Sequence, residues 1–246
     1  MSTVADHLPQ YSLSFNGTTD YLSMADADIG SFNLLDILSF TLRFKRDGTG
    51  VEYLLAKGIG NGVARGFQCF FDASDQLNFQ LTVATLVAAG PPPIYVLSQH
   101  FFISTTTITD TDWHELLVVA RPNDATSTNR LKMWIDGAAE TASSSSMTNQ
   151  GQTTDASAFA FYWGADYRGL NFYDGLMYNM GVSNSGSAWA TTDVRESDGT
   201  AKDLKDLDLR THPDIDAGEE ESDWALSANW TNTGVVSSST LGDVAT

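Results

Sequence analysis

Hydrophobic and polar residues alternate strictly along several stretches of the chain. Phe40, Leu42 and Phe44 fall on one side and Thr41, Arg43 and Lys45 on the other, the period of a strand with one wet face. Leu77, Phe79, Leu81 and Val83 repeat the pattern. Between these runs, Tyr53 to Ala56 predicts a short apolar strand, Gly58, Gly60, Asn61 and Gly62 a turn, and Gly66 to Asp72 a further strand. Such intervals suit hairpins and are too short for helical crossovers. Trp113 to Ala120 is apolar on both faces, as a central strand covered on two sides would be, and Leu131 to Ile135 alternates into the tight turn Asp136-Gly137. Phe159 to Trp163 and Gly175 to Val182 add two more strands. From Ser12 onward the spacing predicts roughly ten to fourteen strands in two stacked sheets, and no helix longer than two or three turns.

Two stretches break the rhythm. Thr85 to Thr109 carries Pro91-Pro92-Pro93, the apolar run Ile94 to Leu97, and Phe101-Phe102-Ile103. It is long and apolar for a connection inside a sandwich, and reads as an extended hairpin or a docking arm, with Pro91, Pro92, Pro93, Tyr95, Phe101 and Phe102 as its contact residues. Asp193 to Asp223 holds 12 acidic and 4 basic residues. Short helical turns are predicted around Lys202 to Leu209, after which Trp224, Leu226 and Trp230 resume strand-like alternation. The chain therefore divides into an N-terminal arm (1–11), a sandwich (12–184) and an acidic C-terminal extension (185–246) packed partly on the sandwich or on a neighbour.

Composition narrows the partners. The 246 residues are 42% hydrophobic and 18% charged, with no apolar run of membrane-spanning length, so no membrane insertion is expected. Asp outnumbers Glu 24 to 7, Lys numbers only 5, and Ser and Thr together reach 50, which favours turns and strands over helices. Thirteen basic against 31 acidic residues give a net charge of −18, which repels a phosphate backbone and excludes nucleic acid as a partner. The single cysteine, Cys69, alternates with Phe67 and Phe71 and reads as a buried strand residue rather than a nucleophile. Met1 to Gln10 has neither a positive nor an apolar segment of a secretory signal. A product that stays in the cytosol or leaves by lysis is expected.

Ser12-Leu13-Ser14-Phe15-Asn16-Gly17-Thr18-Thr19-Asp20-Tyr21 resembles the opening strand and turn of laminin-G-like domains of the concanavalin A-like lectin/glucanase superfamily. Phe40 to Phe44, Leu54-Leu55-Ala56-Lys57-Gly58, Gly66 to Phe71 with Gln76 to Gln80, and Trp113-His114-Glu115 with Leu117-Val118-Val119 resemble further blocks in the family's order. Leu131-Lys132-Met133-Trp134-Ile135-Asp136-Gly137 is similar to the family's strand ending in an Asp-Gly hairpin, and is followed by Trp163-Gly164 and Phe172-Tyr173-Asp174-Gly175. The resemblance spans residues 12 to 184 and implies an all-β fold: a two-sheet antiparallel β-sandwich of the jelly-roll, concanavalin A-like type. Function stays open on fold alone.

Glucanases of this superfamily place acids on one strand as Glu-x-Asp-x-x-Glu, one to attack and one to protonate the leaving oxygen. That spacing is missing here. Glu219-Glu220-Glu221 reads as a solvated charge run. His114-Glu115 lacks the second histidine of a zinc-protease motif, Val118 standing in its place, and no Gly-x-Ser-x-Gly elbow is present. No catalytic residue is assigned. Calcium at the sandwich rim is a property of many relatives, and Asp20, Asp26 and Asp28 are candidate ligands, with turn capping as the competing reading. Tyr178 stands where relatives often carry a carboxylate. Trp134, Tyr162, Tyr167, Tyr173 and Trp189 are candidate sugar-stacking residues, with core packing as the alternative. Asn16 and Asn229 match glycosylation acceptors, idle without secretion.

Three classes of function follow. First is a non-enzymatic structural or adhesive virion protein of a tailed bacteriophage, a capsid decoration, fibre or tail component. It would self-associate, contact other virion proteins and touch glycans from the virion surface. Second is a free extracellular lectin. Third is a glycoside hydrolase with an atypical acid pair.

Overall fold

The computed structural model describes residues 12–26, 36–58, 66–89, 93–147, 149–154, 159–183, 190, 230–233 and 236–238. In chain order its strands are β1 (Ser12–Asn16), β2 (Tyr21–Met24), β3 (Leu38–Arg46), β4 (Glu52–Lys57), β5 (Phe67–Phe71), β6 (Gln76–Ala88), β7 (Ile94–Thr107) and β8 (Trp113–Ala120). They continue as β9 (Leu131–Ile135), β10 (Ala138–Ala139), β11 (Ala142–Ser146), β12 (Gln152–Thr153), β13 (Phe161–Trp163), β14 (Asp174–Ser183), β15 (Trp230–Thr233) and β16 (Val236–Ser238). A single 3-10 turn, Ser127–Asn129, is the only helical element among the described residues with assigned bounds. The strand count exceeds the expected range because two-residue ladders, β10 and β12, and two tail strands join the sheets.

All pairings are antiparallel. One sheet of seven strands runs β10-β9-β8-β3-β14-β1-β16, and one of nine runs β11-β7-β6-β5-β4-β13-β2-β15, with β12 extending the β6 edge. The alternation read in the sequence sets the faces: Leu38, Phe40, Leu42 and Phe44 of β3 are all buried, opposite Phe67, Cys69 and Phe71 of β5 and Leu77, Phe79 and Leu81 of β6. Phe40 meets Phe79 at 5.3 Å between ring centres and Phe44 meets Phe71 at 5.6 Å. Each such side chain contributes about 1.5–3 kcal/mol by leaving water. Burial pushes the Cys69 thiol up, which keeps it protonated.

Register is held by a few local devices. Met177 and Val182 of β14 face Phe44 and Phe40 of β3, five residues against four, and a bulge between Tyr178 and Gly181 absorbs the difference so that both stay in the core. Asp136 and Gly137 take φ of 52° and 77°, the two positive values a tight hairpin between β9 and β10 requires. Asp136 also accepts the backbone N–H of Glu115 through Oδ1 and holds the His114 ring at 2.8 Å.

The segment Thr85 to Thr109, left open between hairpin and arm, is a hairpin: β6 and β7 pair from Gln76 and Thr107 out to Ala88 and Ile94. The tail returns to the sandwich, β15 pairing with β2 and β16 with β1, so residues 230–238 flank both sheets at one side. Residues 1–11, the turns expected at Lys202 to Leu209, and Trp224 and Leu226 lie outside the described residues.

Candidate functional site

The outer face of the nine-stranded sheet collects the residues that alternate with the core. Read across the register, one row runs Ser23, Tyr162, Ala56, Gln68, Gln80 and Phe101. The next row carries Tyr53, Phe70, Asn78 and Ile103. At about 4.8 Å between strands, Tyr162 and Gln80 lie roughly 14 Å apart. Aromatic rings crowd one end. Tyr21 packs edge-on against Tyr162 at 5.5 Å and stacks on Phe172 at 6.2 Å, while Tyr53 stacks on Phe70 at 4.8 Å with 16° between the planes.

Amides fill the middle. Gln68 donates to Gln80 Oε1 at 2.9 Å, and Gln99 donates to the same oxygen at 2.8 Å. Gln68 and Asn78 sit low on the face, and the buried Gln68 Oε1 and Asn78 Oδ1 have no hydrogen-bond partner among the described residues. The face thus joins flat apolar rings to a ladder of neutral donors and acceptors.

A rigid loop frames the aromatic end. Gly164, directly after β13, takes φ +78°, and a Cβ there would meet the Phe15 ring at 2.5 Å, so only glycine makes the turn. Asp166 is buried beneath the loop and accepts the backbone N–H groups of Arg168 and Leu170 at 2.8 and 2.9 Å, the Arg168 guanidinium at 2.8 Å and the Asn171 amide at 2.9 Å. Asn171 in turn accepts the Tyr53 N–H. Arg168 lies 5.3 Å from the Tyr167 ring centre, and Tyr167 packs edge-on against Phe159. Burial, with Asp166 adding to it, raises the Tyr53 phenol, and burial, then Tyr21 and Asp166, raises that of Tyr162. Both phenols are neutral donors at physiological pH.

The residues singled out in the sequence scatter over this geometry. Tyr162 and Tyr167 belong to the aromatic end. Trp134 lies on the outer face of the other sheet, paired with Leu117. Tyr173 is a correction: it is fully buried, packs edge-on against Phe15 and donates its hydroxyl to Lys45 O at 2.9 Å, so it is a core residue and no platform. Trp189 lies outside the described residues. Tyr21, Tyr53, Phe70, Phe172 and the four amides were missed. Their outward phase was readable in the alternation, but which strands lie side by side was not.

Among the described residues, the calcium candidates Asp20 and Asp26 already have partners. Asp26 Oδ1 pairs with the Nζ of the buried Lys57 at 2.5 Å, so a cation already neutralises it. Asp20 is buried and accepts the Thr19 hydroxyl, and Asp28 lies outside the described residues. The opening turn is capped by Asn16 rather than by Asp20: Asn16 Oδ1 accepts the N–H groups of Thr18, Thr19 and Asp20. Tyr178 accepts from Arg43, which also pairs with Glu115 at 3.0 Å. On the hairpin, Pro93 and Tyr95 are exposed, Phe101 is half-buried on the outer sheet face, and Pro91 and Pro92 lie outside the described residues. Phe102 is a second correction, buried beside Phe79 in the core rather than free to dock.

No family model matches the chain, and no curated protein matches it. Among solved structures it is similar to a heptameric SAP-like pentraxin from Limulus polyphemus, at 14% identity over 77% of this chain and 82% of that one, with a TM-score of 0.49. It is also similar to domains LG4-5 of the mouse laminin alpha1 chain, at 17% identity over 72% of this chain and 42% of that one, TM-score 0.45. A third is the Ruminococcus gnavus IT-sialidase CBM40 bound to alpha2,3 sialyllactose, at 9% identity over 73% and 94%, TM-score 0.44. In fold, the chain is a two-sheet antiparallel β-sandwich. The site rests on this chain's own residues.

Proposed function

We propose that this protein is a non-enzymatic, adhesive β-sandwich that binds an oligosaccharide across the outer face of its nine-stranded sheet. The observation that carries the reading is the juxtaposition of the Tyr21, Tyr162 and Tyr53 rings with the Gln68, Gln80 and Gln99 amides. Sugar rings stack their C–H faces on aromatic side chains and offer hydroxyl donors to amide oxygens. The row length of roughly 14 Å suits several sugar units rather than one.

The carboxylates near the sheets support a binding role over hydrolysis. Asp166 is saturated by its loop, Glu52 is tied to Arg46 and Glu115 to Arg43. The setting we propose is the surface of a virus particle, a tailed bacteriophage by the reading above. An acidic, serine- and threonine-rich chain that repels nucleic acid, with an exposed hairpin for attachment, supports it. A free lectin would use the same face.

A glycan array on the full chain, followed by titration calorimetry of any hit, tests the reading. Tyr162→Ala and Gln80→Ala are expected to weaken binding about tenfold each, while Trp134→Ala on the opposite sheet leaves it unchanged. An array without a hit, or binding that survives both changes, overturns it.

A further inference from the structure

From Gln76 to Thr109 the chain carries no Asp, Glu, Lys or Arg, 34 residues in a protein of net charge −18. This segment is the β6–β7 hairpin. Its outer part runs past its neighbours: β12 pairs with β6 only at Val83 and Ala84, and β11 pairs with β7 only from Phe101 to Ser104. Among the described residues no strand covers β7 between Ile94 and Gln99 on the side away from β6. Here both faces are apolar. Leu86, Tyr95 and Leu97 share one, and Val96 and Ile94 the other. Leu86, Val87, Ile94, Tyr95 and Val96 are between 39% and 58% exposed.

Proteins protect long sheet edges with charges, prolines, bulges or brevity. Among the described residues the outermost strands follow that practice, β10 having two residues, β16 three and β15 four, and β11 a register shift between Ala142 and Ser144. The β7 edge from Ile94 to Leu97, Ile-Tyr-Val-Leu, carries no charge and no proline within it; Pro93 stands directly before it, and the β6–β7 register shifts between Leu86 and Ala88 at its outer end. We infer that this edge is a self-association surface, where β7 of one copy pairs antiparallel with β7 of a second copy about a two-fold axis.

Charge selects the partner. Two copies, each strongly acidic, repel one another over most of their surface, and the uncharged hairpin is where they approach at least cost. An apolar strand edge is complementary to itself, as a two-fold contact requires. A lipid surface fits less well, because the hairpin carries no Lys or Arg to meet anionic headgroups. Pairing would join the two nine-stranded sheets through a ribbon β6-β7-β7-β6 and bring Ile94, Val96 and Tyr95 of each copy against those of the other.

Light scattering on the full chain at micromolar concentration reads this directly. A particle of twice the 26.6 kDa chain mass is expected, and Val96→Lys, which puts a charge on the edge, should raise the dissociation constant at least about a hundredfold. Independently of that variant's folding, single cysteines introduced in turn from Ile94 to Ser98 should give an inter-chain disulfide at the position facing the axis, where the Cβ atoms of the two copies come closest. Leu86→Cys, on the other strand, should not cross-link. Cys69 is buried and does not interfere. A monomeric wild type, an oligomer unchanged by Val96→Lys, or no cross-link at any of the edge positions overturns the inference.

Discussion

Arg46, at the end of β3, is buried, and its guanidinium joins the two sheets. It pairs with Glu52 of β4 at 2.6 Å and with Asp75, in the β5–β6 turn, at 2.8 Å. It also donates to the Ile108 and Gly50 carbonyls and lies 4.0 Å from the Phe71 ring centre. Arg46→Met keeps much of the apolar volume and removes every one of these polar contacts. Glu52, almost fully buried, is then left without its cation, and breaking a buried pair in this way costs about 3–5 kcal/mol. Burial already pushes the Glu52 carboxyl up against the pull of Arg46. In the variant that pull is gone, and the carboxyl rises further. Between the ordinary Glu range and that raised value the folded state holds a proton that the unfolded chain has released, so the variant's stability falls as pH rises. The deficit is therefore largest near pH 7 and smaller near pH 5. Urea unfolding followed by tryptophan fluorescence measures it at both values, and the companion Glu52→Gln in the Arg46→Met background should recover about half the loss. A single variant within about 1 kcal/mol of wild type, or a deficit that grows on acidification, would refute the account of Arg46 as a buried clamp.

Two histidines carry opposite pH signatures. Hydrogen bonding to Asp136, opposed by burial and aided by Asp110, raises His114 to about 9. Its stabilisation is complete below the ordinary histidine range and is lost as pH rises through about 9. His114→Gln should flatten that loss, about 1–2 kcal/mol allowing for the exposure of both aspartates, in denaturation midpoints taken from pH 6 to pH 10. Burial, reinforced by Arg130, pushes His100 down to about 4. The folded state then binds fewer protons than the unfolded chain between about 4 and the ordinary value, so stability falls as pH drops through that window. His100→Leu should remove this acid sensitivity and raise the thermal midpoint at pH 5, and an unchanged or lower midpoint there would count against a neutral, buried imidazole.

Much of the fold was legible along the chain, because alternation is a local property with a fixed period. The β3 phase of Phe40, Leu42 and Phe44, the two-sided burial of β8 and the Asp136-Gly137 turn follow from residues within a few positions of one another. Residues facing inward could be told from those facing outward, but the outward ones could not be placed beside each other. Tyr162 and Gln68 are 94 positions apart and share a row only because β13, β4 and β5 are neighbours in one sheet. Tyr173 has the composition of a platform and the position of a core residue, a difference decided by Phe15 and the Lys45 carbonyl.

What the sequence by itself determined is the class of fold, the phase of each strand, and the existence of an uncharged apolar segment in the middle of an acidic chain. Tertiary structure alone decided that this segment is a hairpin with an uncharged, uncovered edge, that Asp26 is occupied by Lys57, and that aromatic rings and amides from six strands and a loop meet on one face. Strand phase is set by near neighbours, whereas sheet order is set by which pairings bury the most apolar surface across the whole chain.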